Sequence, residues 1–545
     1  MSFSIGVAQF NAVVGDLQGN AQKIIAMAEQ AHAAGASVLL TPELALCGYA
    51  PQDLLLRPAF IAVAEDALRS LFEASRRWPA LTLVVGHAQV LAQGGLVNAA
   101  SVIRNGELLL RQAKQVLVQQ GVLDEARYFS AGTTPCVFEQ QGLRVGVLIG
   151  AEARLSGPVQ QVMDAGAQVL LVLDASPFHL EQAGEWQQCL AALACKSAAA
   201  VVSAHAVGGQ DDMVFAGQSL ALDAQGGVAM RAPLCREQLA RVRLSDAGAP
   251  EAGEVAPQPG WQEALWHVLV LAVRDYVNKT GFPGVCLGLS GGMDSALVLA
   301  LAVDALGADR VRTVMMPSPY TADISLEDAR EMVRRLGVRY DEIAIEGPFA
   351  AFNAALAPLF AGLPEDTTEE NLQARVRGTL LMALSNKTGA VVLTTSNKSE
   401  SATGYGTLYG DMAGGFALIK DVTKTRVYAL ARWRNAHDPY GTGTGPIPER
   451  IITRAPSAEL RPDQTDQDSL PPYDVLDALI ERYVEQDASI AALLDEGFAA
   501  ADVERVTRLI QVNEYKRRQG PLGPGVTRRS LGRDWRYPVV NRFRA

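Results

Sequence analysis

A strand–turn–helix–strand pattern at residues 284–318 constrains the fold more than any other feature of the chain. The apolar run GVCLGLS ends at Ser290, two glycines and an aspartate follow, and the helical stretch DSALVLALAVDALG leads to a second apolar run, VRTVMMPS. Two strands joined by a helix in this way form a βαβ unit, with Gly307 as the expected C-cap of the helix. The pattern therefore predicts a parallel sheet covered by helices.

The turn between this strand and its helix has the composition of a phosphate-binding loop. Gly291 and Gly292 let the backbone approach an anion closely, and the start of the helix favours negative charge. Ser290 and Ser295 add hydroxyl donors, while the Asp294 carboxylate would repel a phosphate unless Mg²⁺ lay between them. A glycine turn capped by an aspartate is the plainer alternative. The stretch matches neither the G-x-x-x-x-G-K-[ST] nor the G-x-G-x-x-G motif.

Composition excludes several other classes of protein. The 545 residues include 48 basic and 59 acidic side chains, and a net charge of −11 argues against a non-specific nucleic-acid or anionic-membrane binder. The six cysteines form no C-x-x-C pair and are expected to be reduced thiols, and the six scattered histidines disfavour a zinc site. We expect a cytoplasmic protein, because neither a secretory start nor an apolar run of ~18 residues is present.

The whole chain is organised as two α/β domains. Residues 1–245 alternate β-branched strand candidates with alanine-rich helical runs, and residues 246–260 are rich in Ala, Gly, Pro and acid, as in a linker. Residues 261–545 form the second domain, which opens with a helix from Trp261 that Gly281 stops. Within it, residues 438–473 are long, irregular and rich in Pro and Gly, which predicts a lid or a binding loop.

The second domain resembles a known family. SGGMDS (290–295) resembles the pyrophosphate loop of the N-type ATP pyrophosphatases, which adenylate a carboxyl or carbonyl oxygen. Further segments resemble the NAD synthetases: MPSPYTADISLEDA, TEENLQARVRG, LTTSNKSESATGYGTLYGDMAGGFALIKDVTKT, APSAELRPDQTDQDSLPPYDVLD and NEYKRRQ. The resemblance implies a doubly wound parallel sheet of the adenine nucleotide alpha hydrolase-like type. It also implies a ligase with MgATP, deamido-NAD⁺ and ammonia as substrates, and a homodimer or larger homo-oligomer.

The same resemblance implies a role for individual residues. Contacts to ATP are implied for Gly288, Ser290, Gly291, Gly292, Met293, Asp294, Ser295, Thr395, Lys424 and Ser457. Contacts to deamido-NAD⁺ are implied for Asn371, Arg375, Arg377, Glu400 and Lys516. Asp294 and Glu400 would bind the metal. Lys424 and Lys420 would join Asp294 in catalysis, since positive charge is needed where charge develops on phosphorus.

The first domain resembles the nitrilase-like amidases, in particular the glutaminase domain of glutamine-dependent NAD synthetases. TPELALCGYAPQDLLLR (41–57) and RQAKQVLVQQGVLDEARYFSAG (111–132) resemble the segments that carry the glutamate and the lysine of that family. The resemblance implies an α-β-β-α sandwich. Such a site needs a thiol nucleophile, a carboxylate base and a lysine that stabilises the oxyanion, and Glu43 and Lys114 match the last two.

The nucleophile itself does not match. The family pattern G-V-x-I-C-E-D-x-W reads GVLIGAEAR here, so Gly150 stands where a cysteine is expected. Gln120 replaces a tyrosine and Gln182 a basic residue, both implied to contact glutamine, whereas Ser176 is kept. These positions predict a vestigial amidase site. Cys47, four residues beyond Glu43, is the alternative nucleophile, although a buried cysteine is usually inert.

The sequence thus predicts an NAD⁺ synthetase that takes free ammonia and keeps the amidase fold as a scaffold. Two alternatives stay open. One is a fully glutamine-dependent synthetase that generates ammonia internally, and the other is a first domain that serves as a ligand-sensing or interaction module.

Overall fold

Two stacked β-sheets form the centre of the first half of the chain. The computed structural model describes residues 3–92, 94–120, 123–456, 459–461, 466–532 and 534–543, and the chain forms two units, Met1–Pro259 and Gly260–Ala545. The elements of the first unit are β1 (Phe3–Gln9), α1 (Leu17–Ala33), β2 (Val38–Leu40), α2 (Pro58–Ser75), β3 (Thr82–Val90), β4 (Leu96–Arg104), β5 (Glu107–Ala113), β6 (Gln119–Gln120), β7 (Leu123–Asp124), β8 (Cys136–Gln140), β9 (Leu143–Ile149), α3 (Ser156–Asp164), β10 (Val169–Asp174), α4 (Gln182–Ser197), β11 (Ala200–His205), β12 (Val207–Gln210), β13 (Met213–Ala216), β14 (Leu220–Leu222), β15 (Val228–Arg231) and β16 (Gln238–Leu244).

The two sheets pack face to face with helices outside them. Within the described residues one sheet has the order β16-β1-β2-β3-β4-β5 and the other β15-β14-β11-β10-β9-β8. Ile5 and Val84 of the first sheet belong to the same buried core as Val147 and Leu171 of the second. The outer faces are covered by α1 and α2 on one side and by α3 and α4 on the other. The predicted α-β-β-α sandwich is confirmed, and its central strands read as unbroken apolar runs because both of their faces are buried.

The segment predicted as a linker, residues 246–260, is held against the first unit over part of its length. The Glu251 amide donates to the Arg243 carbonyl and the Ala256 amide to the Arg231 carbonyl, each at 2.9 Å. A segment rich in Ala, Gly and Pro has little side chain to bury, but its backbone groups can still pair with neighbouring strands. Residues 249–256 therefore follow β15 and β16, and α5 begins a few residues later at Trp261.

The second unit is a parallel sheet with helices on it. Its elements are α5 (Trp261–Thr280), β17 (Val285–Gly288), α6 (Met293–Leu306), β18 (Val311–Met315), α7 (Asp323–Leu336), β19 (Arg339–Glu342), α8 (Glu346–Phe360), α9 (Thr367–Thr388), β20 (Val391–Thr394), α10 (Lys398–Thr403), β21 (Phe416–Ala417), α11 (Lys424–Ala436), α12 (Glu449–Thr453), α13 (Tyr473–Ile480), α14 (Ile490–Asp495), α15 (Ala500–Val512) and α16 (Glu514–Arg517).

The strand order of this sheet places the candidate phosphate loop at a crevice. Among the described residues the order is β19-β18-β17-β20-β21, and all neighbouring pairs are parallel. The chain therefore moves outward in one direction from β17 to β19 and in the other from β20 to β21. Ligands of open α/β sheets bind at the carboxyl ends of the strands where this direction changes. The 290–295 loop follows β17 and Thr395 follows β20, so both lie at that point, and the predicted doubly wound sheet is confirmed.

A buried arginine holds the first part of the long 438–473 segment. Arg434 is fully buried, donates to both carboxylate oxygens of Asp304 at 2.7 and 3.0 Å, and donates to the His437 and Gly443 carbonyls. The Asn435 side-chain amide donates to the Ile447 carbonyl at 2.7 Å and accepts from the Ile447 amide at 3.0 Å. The segment also contains the short helix α12, so it is anchored in its first part and interrupted by a helix. In the described part of the chain no helix is both long and apolar enough to cross a membrane.

Candidate active site

The 290–295 loop adopts a tight turn that requires glycine at one position. Gly291 has φ +77°, and a Cβ there would lie 2.4 Å from the Ser325 carbonyl oxygen. Gly292 caps α6, and its amide donates to Ser290 Oγ at 3.2 Å. The hydroxyls of Ser290 and Ser295 lie 3.1 Å apart. The loop thus brings two hydroxyls and the open amino end of a fourteen-residue helix to one place, which suits a phosphate group.

Two carboxylates and one ammonium group meet beside this loop. Lys424 Nζ, at the start of α11, contacts Asp294 Oδ2 and lies 3.4 Å from Glu400 Oε1. The Lys424 side chain is 3% exposed, against 17% for Asp294 and 16% for Glu400. The two carboxylates are therefore more accessible from the cleft than the lysine is.

The charges in this group shift one another's pKa. Burial raises the pKa of Glu400 to about 8, and the neighbouring Asp294 carboxylate adds to the effect. Burial alone would lower the pKa of Lys424, but Asp294 and Glu400 outweigh it and raise that pKa above its ordinary value. The lysine is therefore a fixed positive charge at neutral pH, and a cation bound beside Glu400 would favour the ionised form of that carboxyl group.

Most residues implied by the resemblance line one cleft of about 1580 Å³ in the second unit. The cleft is lined by the phosphate loop, by the ends of β18 and β20, by part of α9, and by Ile451, Arg454, Ala455, Pro456, Glu459, Leu460 and Asp466. Of the sequence-predicted residues it is lined by Gly288, Ser290, Gly291, Gly292, Met293, Asp294, Ser295, Arg377, Thr395, Glu400 and Lys424.

A smaller cavity of about 560 Å³ adjoins the cleft and shares Glu400 with it. Lys420 and Lys516 line it. Lys420 Nζ donates to the Pro521 carbonyl at 2.9 Å, and Lys516 Nζ donates to the Gly404 and Gly406 carbonyls at 2.8 Å each. The structure thus separates Lys420 from Lys424, which lines the cleft.

The remaining implied contacts lie elsewhere. Asn371 accepts a bond from the Thr407 hydroxyl at 2.7 Å, and Arg375 donates to the Leu408 carbonyl at 3.3 Å. Neither is among the side chains that line the two cavities in the described part of the unit. Ser457 falls outside the described residues. The sequence analysis did not select Asn397, which bonds Asp294, although N-x-x-E before a helix is a recognisable cap pattern.

The first unit contains a second, fully buried cluster of charges. Lys114 Nζ lies 2.6 Å from Glu43 Oε1 and 2.8 Å from Glu125 Oε1, and Asn98 donates to the same Glu43 oxygen at 2.6 Å. Burial raises the pKa of Glu43 to about 8, although Lys114 opposes the shift. The predicted glutamate and lysine are thus brought together. Glu125 and Asn98 were missed, because their partners are distant in the sequence.

Gly150 lies directly against this pair. A Cβ built on Gly150 would lie 2.5 Å from Glu43 Oε2 and 3.3 Å from Lys114 Nζ. Its φ is +51°, a backbone conformation that residues other than glycine rarely adopt. The position implied for a thiol nucleophile is therefore next to its implied partners but carries no side chain, and the Glu43 carboxylate occupies part of the space that a side chain would need.

Neither of two nearby residues is placed to replace the thiol. Cys47 is buried, its Sγ lies 3.6 Å from the Leu44 carbonyl, and burial raises its pKa to about 12. The Ser176 hydroxyl donates to Asp174 Oδ1 at 2.7 Å, while His205 Nε2 lies 3.1 Å from the other oxygen of that aspartate. A nucleophilic serine must instead bond the histidine.

Of the two residues at the implied glutamine contacts, the structure describes Gln182 fully and Gln120 only in its backbone. Gln182 begins α4 and is buried, and it lines a small cavity together with Trp186 and Arg231. The backbone of Gln120 ends β6, but its side chain falls outside the description.

Comparison with known proteins agrees with this description of the two units. Residues 4–249 match the carbon-nitrogen hydrolase family, and residues 265–520 match the NAD synthase family. The fold and the cleft thus define a carbon–nitrogen ligase of the NAD synthase class that carries a carbon-nitrogen hydrolase domain in front.

Relatives with the same two domains extend over the whole chain. The glutamine-dependent NAD(+) synthetase of Acinetobacter baylyi is 45% identical over 545 residues, which cover 100% of this chain and 99% of that protein. A solved structure of the Acinetobacter baumannii glutamine-dependent NAD+ synthetase with adenosine diphosphate is 43% identical, covers 99% of both chains and has a TM-score of 0.80. A Cytophaga hutchinsonii structure, 22% identical with a TM-score of 0.84 over 99% of this chain and 98% of that one, shows the same fold. The chain belongs to the glutamine-dependent NAD(+) synthetase family.

Proposed function

We propose that this NAD⁺ synthetase forms NAD⁺ from deamido-NAD⁺, MgATP and free ammonia, and that its first domain does not hydrolyse glutamine. The nicotinate carboxylate attacks the α-phosphorus of ATP, pyrophosphate leaves, and ammonia then displaces AMP from the acyl-adenylate. The observation that carries the choice of ammonia is Gly150, which supplies no nucleophile beside Glu43 and Lys114.

The cleft supports the adenylation half of this proposal. The 290–295 loop would hold the departing pyrophosphate through its hydroxyls and the start of α6. The Lys424 ammonium would stabilise the charge that builds up around phosphorus. Arg377, whose pKa burial lowers to about 10, remains protonated at neutral pH and lies in the same cleft for phosphate or substrate.

Asp294 and Glu400 would hold Mg²⁺, whose charge in such a site screens the phosphates and favours departure of pyrophosphate. Two carboxylates that converge on one cation fit this ion. Among the described residues no group of three or more His, Cys, Asp or Glu side chains could hold a metal, so phosphate oxygens would have to complete its ligands. The Lys424 ammonium now contacts both carboxylates and would compete with the ion for the same oxygens.

The substrate side of the site is proposed from the smaller cavity. Lys516 and Lys420 line it, and it joins the cleft at Glu400. A dinucleotide that extends from the cleft into this cavity would place its own phosphates near these two ammonium groups. Asn371 and Arg375 are proposed as further contacts only through their resemblance to the family.

Asp294→Asn tests the adenylation site. We expect pyrophosphate release from ATP and deamido-NAD⁺ to fall at least 100-fold, because the amide cannot replace a carboxylate shared by a metal and an ammonium group. The thermal midpoint should change little, since the amide is nearly isosteric. Release within threefold of the unsubstituted protein would remove Asp294 from its proposed role.

The absence of a nucleophile is tested by a glutamine analogue that carries a diazoketone, which alkylates amidase thiols. We expect the mass of the intact protein to stay unchanged under conditions that label an active glutaminase fully. A mass increase of one analogue, located by peptide mapping to Cys47 or another residue, would show a working nucleophile and restore the glutamine-dependent alternative.

We also propose that the protein is a homodimer or larger homo-oligomer through its synthetase unit. α8 is mostly apolar, yet none of its residues is buried, and Phe352 and Leu359 are 50% and 75% exposed. Exposed apolar patches of this kind mark protein–protein contacts. Phe352→Glu with Leu359→Glu should lower the mass measured by sedimentation, and an unchanged mass would exclude α8 from the interface.

A further inference from the structure

Asn397 connects the two carboxylates of the active site and has not been assigned a role so far. Its side-chain Nδ2 donates to Asp294 Oδ1 at 3.0 Å, and its Oδ1 accepts the Glu400 amide at 3.0 Å. Its own backbone amide lies 3.3 Å from Glu400 Oε2. One residue therefore engages one oxygen of each carboxylate.

The remaining oxygens point to the shared cation position. Asp294 Oδ2 and Glu400 Oε1 are the atoms that contact Lys424 Nζ. Since Asn397 holds the opposite oxygen of each group, neither carboxylate can rotate about its terminal bond without losing a hydrogen bond. Asn397 is fully buried and is not among the residues that line the cleft within the described part of the chain, so it acts through its neighbours.

We propose that Asn397 is a positioning residue of the adenylation site, which fixes the Asp294 and Glu400 oxygens that face the bound cation. The inference rests on the proposed adenylation chemistry but not on the source of nitrogen. It also couples two elements that are far apart in sequence, because Asp294 belongs to α6 whereas Glu400 belongs to α10. Residues that orient metal-binding side chains in this way typically change metal affinity or activity 10- to 100-fold when they are replaced.

A purely structural role must be separated from this one, because Asn397 is also the N-cap of α10. Serine caps a helix as well as asparagine does, but its hydroxyl is too short to reach Asp294 as well. Asn397→Ser therefore keeps the cap and removes the bond to Asp294. Asn397→Asp keeps the cap and the shape, and it replaces the donor to Asp294 with a like charge.

The test measures binding of α,β-methylene-ATP by calorimetry, with and without Mg²⁺, and needs neither turnover nor a nitrogen source. Mg²⁺ should increase the affinity for α,β-methylene-ATP. For both Asn397 variants we expect the Mg²⁺ concentration that gives half of this increase to rise about tenfold or more. Binding without Mg²⁺ should stay within twofold. Ser489→Ala removes the side chain that caps α14 through the Ala492 amide, and it serves as the control that should match the unsubstituted protein in both measurements.

Two results would overturn the inference. Mg²⁺ dependence within twofold of the unsubstituted protein in both Asn397 variants would show that the bond to Asp294 does not matter. A parallel loss of binding with and without Mg²⁺, accompanied by a lower thermal midpoint, would show that Asn397 only stabilises the fold. If Mg²⁺ does not tighten binding to the unsubstituted protein, the proposed metal site fails and this inference fails with it.

Discussion

Gly150 combines two constraints that a side chain would violate. Its positive φ is costly for other residues, and the Glu43 carboxylate lies within the volume of a Cβ. Gly157, seven residues later, offers a matched comparison because a Cβ there would meet nothing within 4 Å. We expect Gly150→Ala to lower the free energy of unfolding by about 1–3 kcal/mol, and Gly157→Ala to change it little. Equal effects in chemical denaturation would contradict the strain inferred at Gly150.

Gly150→Cys should fail to restore glutaminase activity for the same reason. The thiol would be introduced beside a carboxylate that must first move, and Gln182 stands where a contact to glutamine is expected. We predict glutamate release from glutamine below about one hundredth of the rate of NAD⁺ formation with ammonium, because residues of one site act together. Glutamate release that equals this rate would mean that the thiol alone had been lost.

The raised pKa of Glu43 predicts how stability depends on pH. The folded protein holds the Glu43 proton more tightly than the unfolded chain, so the resulting stability is present below the ordinary pKa of about 4.5 and is lost as pH rises towards about 8. Glu43→Gln resembles the protonated form at every pH. The free energy of unfolding of this variant, relative to the unsubstituted protein, should therefore rise between pH 5 and pH 8, by at most about 1.4 kcal/mol per pH unit. A constant or falling difference would contradict the shift.

At the residue scale, the sequence predicted individual site residues better than it predicted which other residues they contact. Glu43, Lys114 and Gly150 were found because each belongs to a recognisable segment, and the structure brings all three together. Glu125 and Asn397 were not predicted. The role of a buried carboxylate or amide depends on its hydrogen-bond partner, and here that partner is brought near only by the fold. Lys420 and Lys424 look equivalent in sequence but line different cavities.

At the scale of elements, local signals were reliable where they were strong. The helix predicted from Trp261 spans Trp261–Thr280 and ends at Gly281 in the left-handed conformation, and α6 ends at Gly307 as expected. The 438–473 segment was harder, because the Arg434–Asp304 pair that holds its first part joins residues 130 positions apart. Its composition predicted a loop throughout, whereas the structure anchors residues 437–447 and forms α12 after them.

We therefore predict that ligand-dependent ordering is confined to the part of this segment that follows α12. Ala455, Glu459 and Asp466 line the cleft, so a bound nucleotide would contact this part directly. Trypsin should cleave after Arg454 in the ligand-free protein, and α,β-methylene-ATP with deamido-NAD⁺ should slow this cleavage about tenfold. Cleavage after Arg76 in the first unit serves as the control and should not change. Equal rates at Arg454 with and without ligands would contradict the proposed ordering.

At the scale of the molecule, the two units differ in how many of their predicted site groups are present. The synthetase unit gathers most of its predicted charged and hydroxyl groups around its cleft, whereas the first unit has the sandwich and its buried charges but no side chain at residue 150. The fold of both units followed from apolar patterns and family resemblance. The pairing of residues 249–256 with the first unit did not, since backbone hydrogen bonds leave no mark on composition.

The most direct test of this account compares nitrogen sources in the unsubstituted protein. The assay supplies deamido-NAD⁺ and MgATP with either ammonium or ammonia-free glutamine and measures NAD⁺ and glutamate. We predict rapid NAD⁺ formation with ammonium, and a rate at least 100-fold lower with glutamine at equal concentration, because no side chain at residue 150 can attack the amide. Equal amounts of NAD⁺ and glutamate, formed from glutamine at a rate near that with ammonium, would contradict the account.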